Sequence, residues 1–261
     1  MKKTIIVLLY LLIAVCPFIQ AQNNPQEGNQ PGVARPHFTP EQMEQFNRRI
    51  GEMLRTDFAA LKRYQDENTK IGLPAPDENR VVFMGNSITE YWNPYWTEFF
   101  PGKPYVNRGI AGQTTPQMLV RFRQDVIKLK PKVVVVLAGI NDITGMTGPT
   151  TNEMIEDNLT SMVEIAQTNG IQVILSTVLP CYRIAGRPDL LPAERVLALN
   201  AWINKFAAEK GCFYLDYFSK LADENNGLKS EFTKDGVHPN KAGYDIMVPL
   251  VEAAIQKTLG K

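Results

Sequence analysis

Five consecutive residues, Val133-Val134-Val135-Val136-Leu137, carry no polar side chain, and Gly139 follows two residues later. A strand with one face in water alternates apolar and polar residues, whereas a strand apolar on both faces belongs inside a parallel sheet with helices on each side. The rest of the chain supplies what such a sheet needs. Short runs rich in Val, Ile and aromatic residues recur at 81–84, 105–106, 132–138, 171–178 and 212–217, bounded by Gly, Pro or Asn. Helix-patterned segments follow them at 116–129, 152–168, 192–210 and 241–259. Strand and helix alternate through one uninterrupted stretch. That predicts a doubly wound α/β domain with right-handed crossovers.

One more helical pattern precedes the first strand. Thr39 is placed to cap it, Pro40 suits its first position, and Phe38 and Met43 can close a hydrophobic staple. Phe46, Ile50, Met53, Leu54, Phe58, Leu61 and Tyr64 keep a 3.6-residue rhythm, so a single helix over 39–70 is expected to brace the domain at 39–261. Before it, residues 22–38 are mostly Asn, Pro, Gln and Gly, the composition of a flexible tether. Residues 1–21 read as a signal peptide. Lys2 and Lys3 precede an apolar run at 5–15, and Ile19-Gln20-Ala21 ends it before Gln22. An exported protein, periplasmic or secreted, is the expectation. Cys16 offers a lipoprotein alternative, against which stands Val15 where such a signal carries a small residue.

Charge and hydropathy exclude two partner classes. Lys and Arg number 28 and Asp and Glu 27; loss of Lys2 and Lys3 leaves 26 against 27, so there is no basic surplus for a nucleic acid. No internal stretch approaches the ~20 apolar residues of a membrane span. Cys181 and Cys212 remain after cleavage and have no metal-ligand spacing. If the last two strands are parallel neighbours, Cys181 lies past one strand and Cys212 before the next. Their sulfurs are then roughly 20 Å apart at ~3.3 Å per residue, beyond the ~7 Å between Cα atoms that a disulfide spans.

In a doubly wound sheet, ligands gather at the carboxyl ends of the strands. Three polar segments fall there: Gly85-Asn86-Ser87-Ile88-Thr89 after the first strand, Asn107-Arg108-Gly109-Ile110-Ala111-Gly112-Gln113-Thr114 after the second, and Gly139-Ile140-Asn141-Asp142 after the third. A fourth, Asp235-Gly236-Val237-His238-Pro239, stands near the C-terminus. Singly, each is an ordinary cap or turn; jointly they point to a site. Of two histidines, His37 lies in the tether, which leaves His238 for a folded site, and an imidazole suits a general base near neutral pH. Ser87 stands at a strand-to-helix turn, where a hydroxyl is exposed for attack.

In order and rough spacing the four segments resemble those of the SGNH hydrolases, also called GDSL-type lipases and esterases. The resemblance runs from about Arg80 to the C-terminus and is nearest the acetylhydrolase-like branch. It implies a three-layer α/β/α, flavodoxin-like sandwich on five parallel strands. By position, Ser87 matches the nucleophile, His238 the base and Asp235 the acid that orients it. Ser87, Gly112 and Asn141 match the oxyanion hole, with Gly109 the alternative for Gly112. The family's first segment has Asp where this chain has Asn86, which keeps the shape but exchanges a charge for a donor.

The implied activity is a secreted serine esterase that hydrolyses short-chain, acetyl-type esters, on carbohydrate or another soluble alcohol. Tyr91, Trp92, Tyr95 and Trp96 follow the nucleophile, and Trp92 and Trp96 are expected to line an aromatic wall for a small-molecule or glycan ester. No lid segment, metal cluster, phosphate loop or dinucleotide fingerprint is present in the pattern, so neither cofactor nor metal is implied. A lysophospholipase or thioesterase on the same site, or an inactive glycan-binding module, are the competing readings. The sequence fixes neither acyl length nor oligomeric state.

Overall fold

The all-apolar run is the central strand of a parallel sheet. The computed structural model describes residues 39–260 apart from 185, 186 and 188; the expected signal peptide at 1–21 and tether at 22–38 lie outside them. In chain order the elements are α1 (Pro40–Thr56), α2 (Gln65–Ile71), β1 (Val81–Gly85), α3 (Ser87–Glu90), α4 (Trp96–Phe99), β2 (Tyr105–Gly109), α5 (Thr115–Asp125), β3 (Val133–Leu137), α6 (Ile140–Ile143), α7 (Asn152–Thr168), β4 (Gln172–Ser176), α8 (Ala193–Lys210), β5 (Phe213–Leu215), α9 (Phe218–Leu221) and α10 (Lys241–Thr258). Among the described residues the sheet has five strands in the order β2-β1-β3-β4-β5, all parallel. Helices α5, α7 and α8 pack side by side on one face, and α10 covers the other together with the aromatic segment after β1. This is the three-layer α/β/α sandwich that the strand pattern and the resemblance predict.

Register places the site. Val81 pairs with both Tyr105 and Val133, so Gly85, Gly109 and Leu137 end their strands in line. The three polar segments that follow therefore emerge along one edge, where β1 and β3 send their connections to opposite faces. Every residue of β1 and β3 is buried, which accounts for their lack of alternation. Strand β2 runs on through Asn107 and Arg108, beyond the apolar pair at 105–106. Both side chains are buried and partnered: Asn107 Nδ2 donates to the Thr89 carbonyl at 2.8 Å, and Arg108 Nε donates to Asn68 Oδ1 at 2.8 Å. Gly109 then passes directly against α3, where a Cβ would stand 2.1 Å from the Glu90 backbone nitrogen.

The stretch 39–70 holds two helices rather than one. Between α1 and α2 the Asp57 carboxylate accepts from the backbone N–H groups of Leu61 at 2.8 Å and Lys62 at 3.0 Å, and Ala60 has a φ of +52°. That turn breaks the helical rhythm and delivers Tyr64 to the interior, 2% exposed. Cys212 stands just before β5, whose Phe213 pairs with Ile174, whereas Cys181 lies beyond the far end of β4. The register thus places the two thiols at opposite ends of the sheet. No helix among the described residues is long and apolar enough to cross a membrane.

Candidate active site

The Asp-Gly-Val-His turn is built to hold one carboxylate. Asp235 Oδ1 accepts from the backbone N–H of Val237 at 2.9 Å and of His238 at 2.8 Å. Gly236 takes a φ of +80° to let the chain fold back, and Thr233 Oγ1 accepts from its N–H at 3.0 Å. The other carboxylate oxygen, Oδ2, lies 2.7 Å from His238 Nδ1. Burial alone would raise the Asp235 pKa. The hydrogen bonds from the His238 ring and backbone, the imidazole's charge and the Val237 N–H outweigh burial and hold it far below the usual carboxylate range. An ionised Asp235 fixes the proton on Nδ1 and leaves the lone pair on Nε2. That Nε2 stands 2.9 Å from Ser87 Oγ, 151 residues away in sequence.

Ser87 opens α3 behind Asn86, whose Oδ1 accepts from the Ile88 N–H at 3.0 Å as an N-cap. The amide nitrogen of Asn86 is buried and unpartnered, so the Asn in place of the family's Asp keeps the cap and leaves a donor idle. From α10, the Tyr244 hydroxyl donates to the Ile88 carbonyl at 2.8 Å and ties the helix that follows His238 to the Ser87 turn.

The second and third segments meet at Gln113. Asn141 Nδ2 donates to the Gln113 carbonyl at 2.9 Å, which uses one of its two N–H groups and leaves the other free to point elsewhere. Gly112, beside Gln113, sits at a φ of +79°, and its N–H and that of Ser87 make no hydrogen bond to a described residue. Asp142 is 1% exposed and receives the N–H and hydroxyl of Thr115, locking the start of α5 to the third segment. Glu90 Oε2 accepts from the Ala111 N–H at 2.7 Å. Glu90, Gln113 and Asp142 thus surround the candidate site although the sequence reading gave them no role; Gln113 and Asp142 carried a signal, as the residues after Gly112 and Asn141 in the polar segments, and Glu90 carried none.

The expected aromatic wall is not made by the tryptophans. Trp92 is 2% exposed and packs among Phe83, Phe99, Phe100 and Tyr244 in the layer between sheet and α10. Trp96 meets Phe83 edge-on and lines a cavity of about 400 Å³ beside β2 whose walls include none of Ser87, Gly112, Asn141 or His238. The aromatic beside the site is Tyr91, 44% exposed, with its ring 5.2 Å from that of His238. Among the described residues no cluster of His, Cys, Asp or Glu is arranged to hold a metal ion.

Chemically, this arrangement offers a hydroxyl next to a proton acceptor of fixed tautomer, and unused N–H donors along the same sheet edge. A GDSL-like lipase of Bacteroides thetaiotaomicron is 42% identical, with a TM-score of 0.75 over 77% of this chain and 99% of that one. An acylhydrolase candidate of Bacteroides fragilis is 44% identical, with a TM-score of 0.76 over 78% and 99%. The acetylxylan esterase of Xylanibacter ruminicola is 24% identical over 244 residues, 76% of this chain and 49% of that protein. The chain spans about half the length of the curated relatives it matches. Residues 83–246, which hold all four segments, match the GDSL-like Lipase/Acylhydrolase family, and the chain belongs to that family.

Proposed function

We propose that this protein is an exported serine esterase that removes short acyl groups, acetyl above all, from carbohydrate. The observation that carries the reading is the unbroken chain of contacts from Asp235 through His238 to Ser87. Ser87 Oγ attacks the ester carbonyl carbon and passes its proton to His238 Nε2, while Asp235 stabilises the imidazolium. The carbonyl oxygen becomes an oxyanion held by the N–H groups of Ser87 and Gly112 and by the free N–H of Asn141. Collapse of the tetrahedral adduct breaks the bond to the alcohol, which takes the proton from His238 and leaves. Water then loses a proton to His238, attacks the acyl-serine, and releases the carboxylic acid with Ser87 restored.

Carbohydrate as the alcohol rests on Tyr91, an exposed aromatic beside the base and suited to a sugar face, and on the likeness to an acetylxylan esterase. Export rests on the signal-like residues 1–21. The test is Ser87→Ala against an aryl acetate, followed by a panel of acetylated xylan, pectin, sialic acid and long-chain lysophospholipid. Turnover is expected to fall more than about 10³-fold in the folded variant, with acetylated glycans preferred by the wild type. Near wild-type turnover in Ser87→Ala sinks the mechanism; preference for the long acyl chain sinks the substrate.

A further inference from the structure

The segment that precedes the family-matched region is wired into the loop that carries Gly112. Tyr64 is 2% exposed, its ring sandwiched between the Arg63 and Arg108 guanidinium groups, and its hydroxyl donates to the Gly109 carbonyl. Gln113 is fully buried. Its Nε2 donates to the Ala59 carbonyl at 2.8 Å, its Oε1 accepts from Arg121 Nε, and its own carbonyl receives Asn141 Nδ2. Arg121, also fully buried, donates from Nη2 to the Gly85 carbonyl at 3.0 Å and pairs with Asp125 at 3.1 Å. Asp125 in turn accepts from Asn68 of α2 at 2.7 Å.

We propose that residues 57–71 form a clamp that sets the oxyanion-hole geometry, with Tyr64, Gln113 and Arg121 as positioning residues; the proposal rests on the esterase reading. A loop that leaves β2 at Gly109 and turns through Gly112 at positive φ has the backbone freedom to place its N–H groups in many ways. The clamp and α5 remove that freedom at three points. Tyr64 pins the carbonyl of Gly109, Ala59 pins the side chain of Gln113, and Arg121 spans from Gln113 to the turn that precedes Ser87. The Gln113 carbonyl so fixed decides where Asn141 sends its second N–H. Oxyanion stabilisation depends on donors placed in advance, and a shift of ~1 Å is enough to cost ~10²-fold in rate. Gln124 provides the contrast: its Nε2 joins the same segment to α5 at the Leu61 carbonyl, 2.6 Å, without reaching the loop.

The experiment compares Tyr64→Phe, Gln113→Glu and Gln124→Ala with the wild type, using an aryl acetate and a phenylboronic acid that forms a tetrahedral adduct on Ser87. Tyr64→Phe and Gln113→Glu are expected to lower kcat about 10-fold with KM within about two-fold, and to raise the boronate inhibition constant by the same factor as kcat falls. Gln124→Ala is expected to lower Tm while leaving kcat within about two-fold. Hydrogen exchange gives a readout free of catalysis: the amides of residues 110–113 should exchange faster in Tyr64→Phe. Unchanged kcat and boronate affinity in Tyr64→Phe, or an equal kcat loss in Gln124→Ala, overturns the clamp. If the wild type hydrolyses no ester, the esterase reading falls, and exchange decides the clamp alone: faster exchange upholds it, unchanged exchange refutes it.

Discussion

Replacing Asp142 with Asn should make the protein's stability less sensitive to pH, in a direction the structure fixes. Asp142 is almost wholly buried and its hydrogen-bond partners are the neutral N–H and hydroxyl of Thr115. Burial pushes its carboxyl up to about 6 from the ordinary 3.8, against the pull of those donors. A carboxyl whose folded value is raised binds its proton more tightly folded than unfolded. Its contribution is most favourable below the unfolded value and is lost as pH rises through the folded one. The span from 3.8 to about 6 amounts to about 3 kcal/mol at ~1.36 kcal/mol per pH unit. Asn keeps an oxygen for Thr115 and carries no charge to desolvate. Urea unfolding of wild type and Asp142→Asn at matched pH from 4 to 7 cancels every other titrating group. The difference in unfolding free energy is expected to move in favour of the variant by about 2 kcal/mol across that range, the greater part of the full span and most of it between pH 4 and 6. A difference constant with pH refutes the argument, because it would mean that Asp142 titrates alike in both states.

Asn141→Ala should lower kcat by about 10²–10³-fold with KM little changed, the cost of one side-chain oxyanion donor; steady-state kinetics on an aryl acetate checks it. Trp92→Ala should lose about 3–5 kcal/mol of stability in urea unfolding, as a large aromatic leaves a cavity, without raising KM for a glycan ester. Tyr91→Ala should do the reverse, raising KM with the unfolding midpoint held.

The parts legible in the sequence are those whose physics is local. A parallel strand covered on both faces has to be apolar throughout, so the Val133 run announces the centre of the sheet before any other element is known. The Asp235–His238 contact forms within one turn, so its two residues stand three apart in any reading of the chain. The parts that were hidden depend on partners far along the chain. Asn107 and Arg108 look like loop residues until Thr89 and Asn68 are there to satisfy them. Gln113, before α5, and Arg121, within it, look like surface polars, yet their partners at Ala59 and Gly85 lie 54 and 36 residues away. Trp92 and Tyr91 are aromatic neighbours just past the four-residue α3, which is too short to carry a periodicity that would tell which one faces the core. The break at Asp57 was hidden for a related reason: an apolar rhythm continued across it, although Phe58 and Leu61 stay exposed in the turn and only Tyr64 reaches the interior.

The division of labour in the site follows from that contrast between local and distant contacts. Asp235 and His238, the proposed acid and base, form a self-contained unit, since one Asp235 oxygen is bonded by the turn's own N–H groups and the other is thereby aimed at His238. Such a unit keeps its internal geometry wherever the loop moves. Its alignment with Ser87 is a separate matter, and α10 supplies it. Asn240, two residues past His238, caps that helix through the Gly243 N–H at 3.1 Å, and Tyr244 on its first turn reaches the Ile88 carbonyl beside the nucleophile. The distance from His238 to Ser87 is therefore set by one short rigid path, through the start of α10 to the start of α3. Of the proposed oxyanion donors, Gly112 arrives by a different path, through β2, α5 and the clamp, and Asn141 joins that path from the end of β3 at the Gln113 carbonyl. Because the two paths share only the turn at Gly85-Asn86-Ser87, that turn must satisfy both. Its tight packing, with Asn86 fully buried and Ser87 only 6% exposed, is the structural consequence.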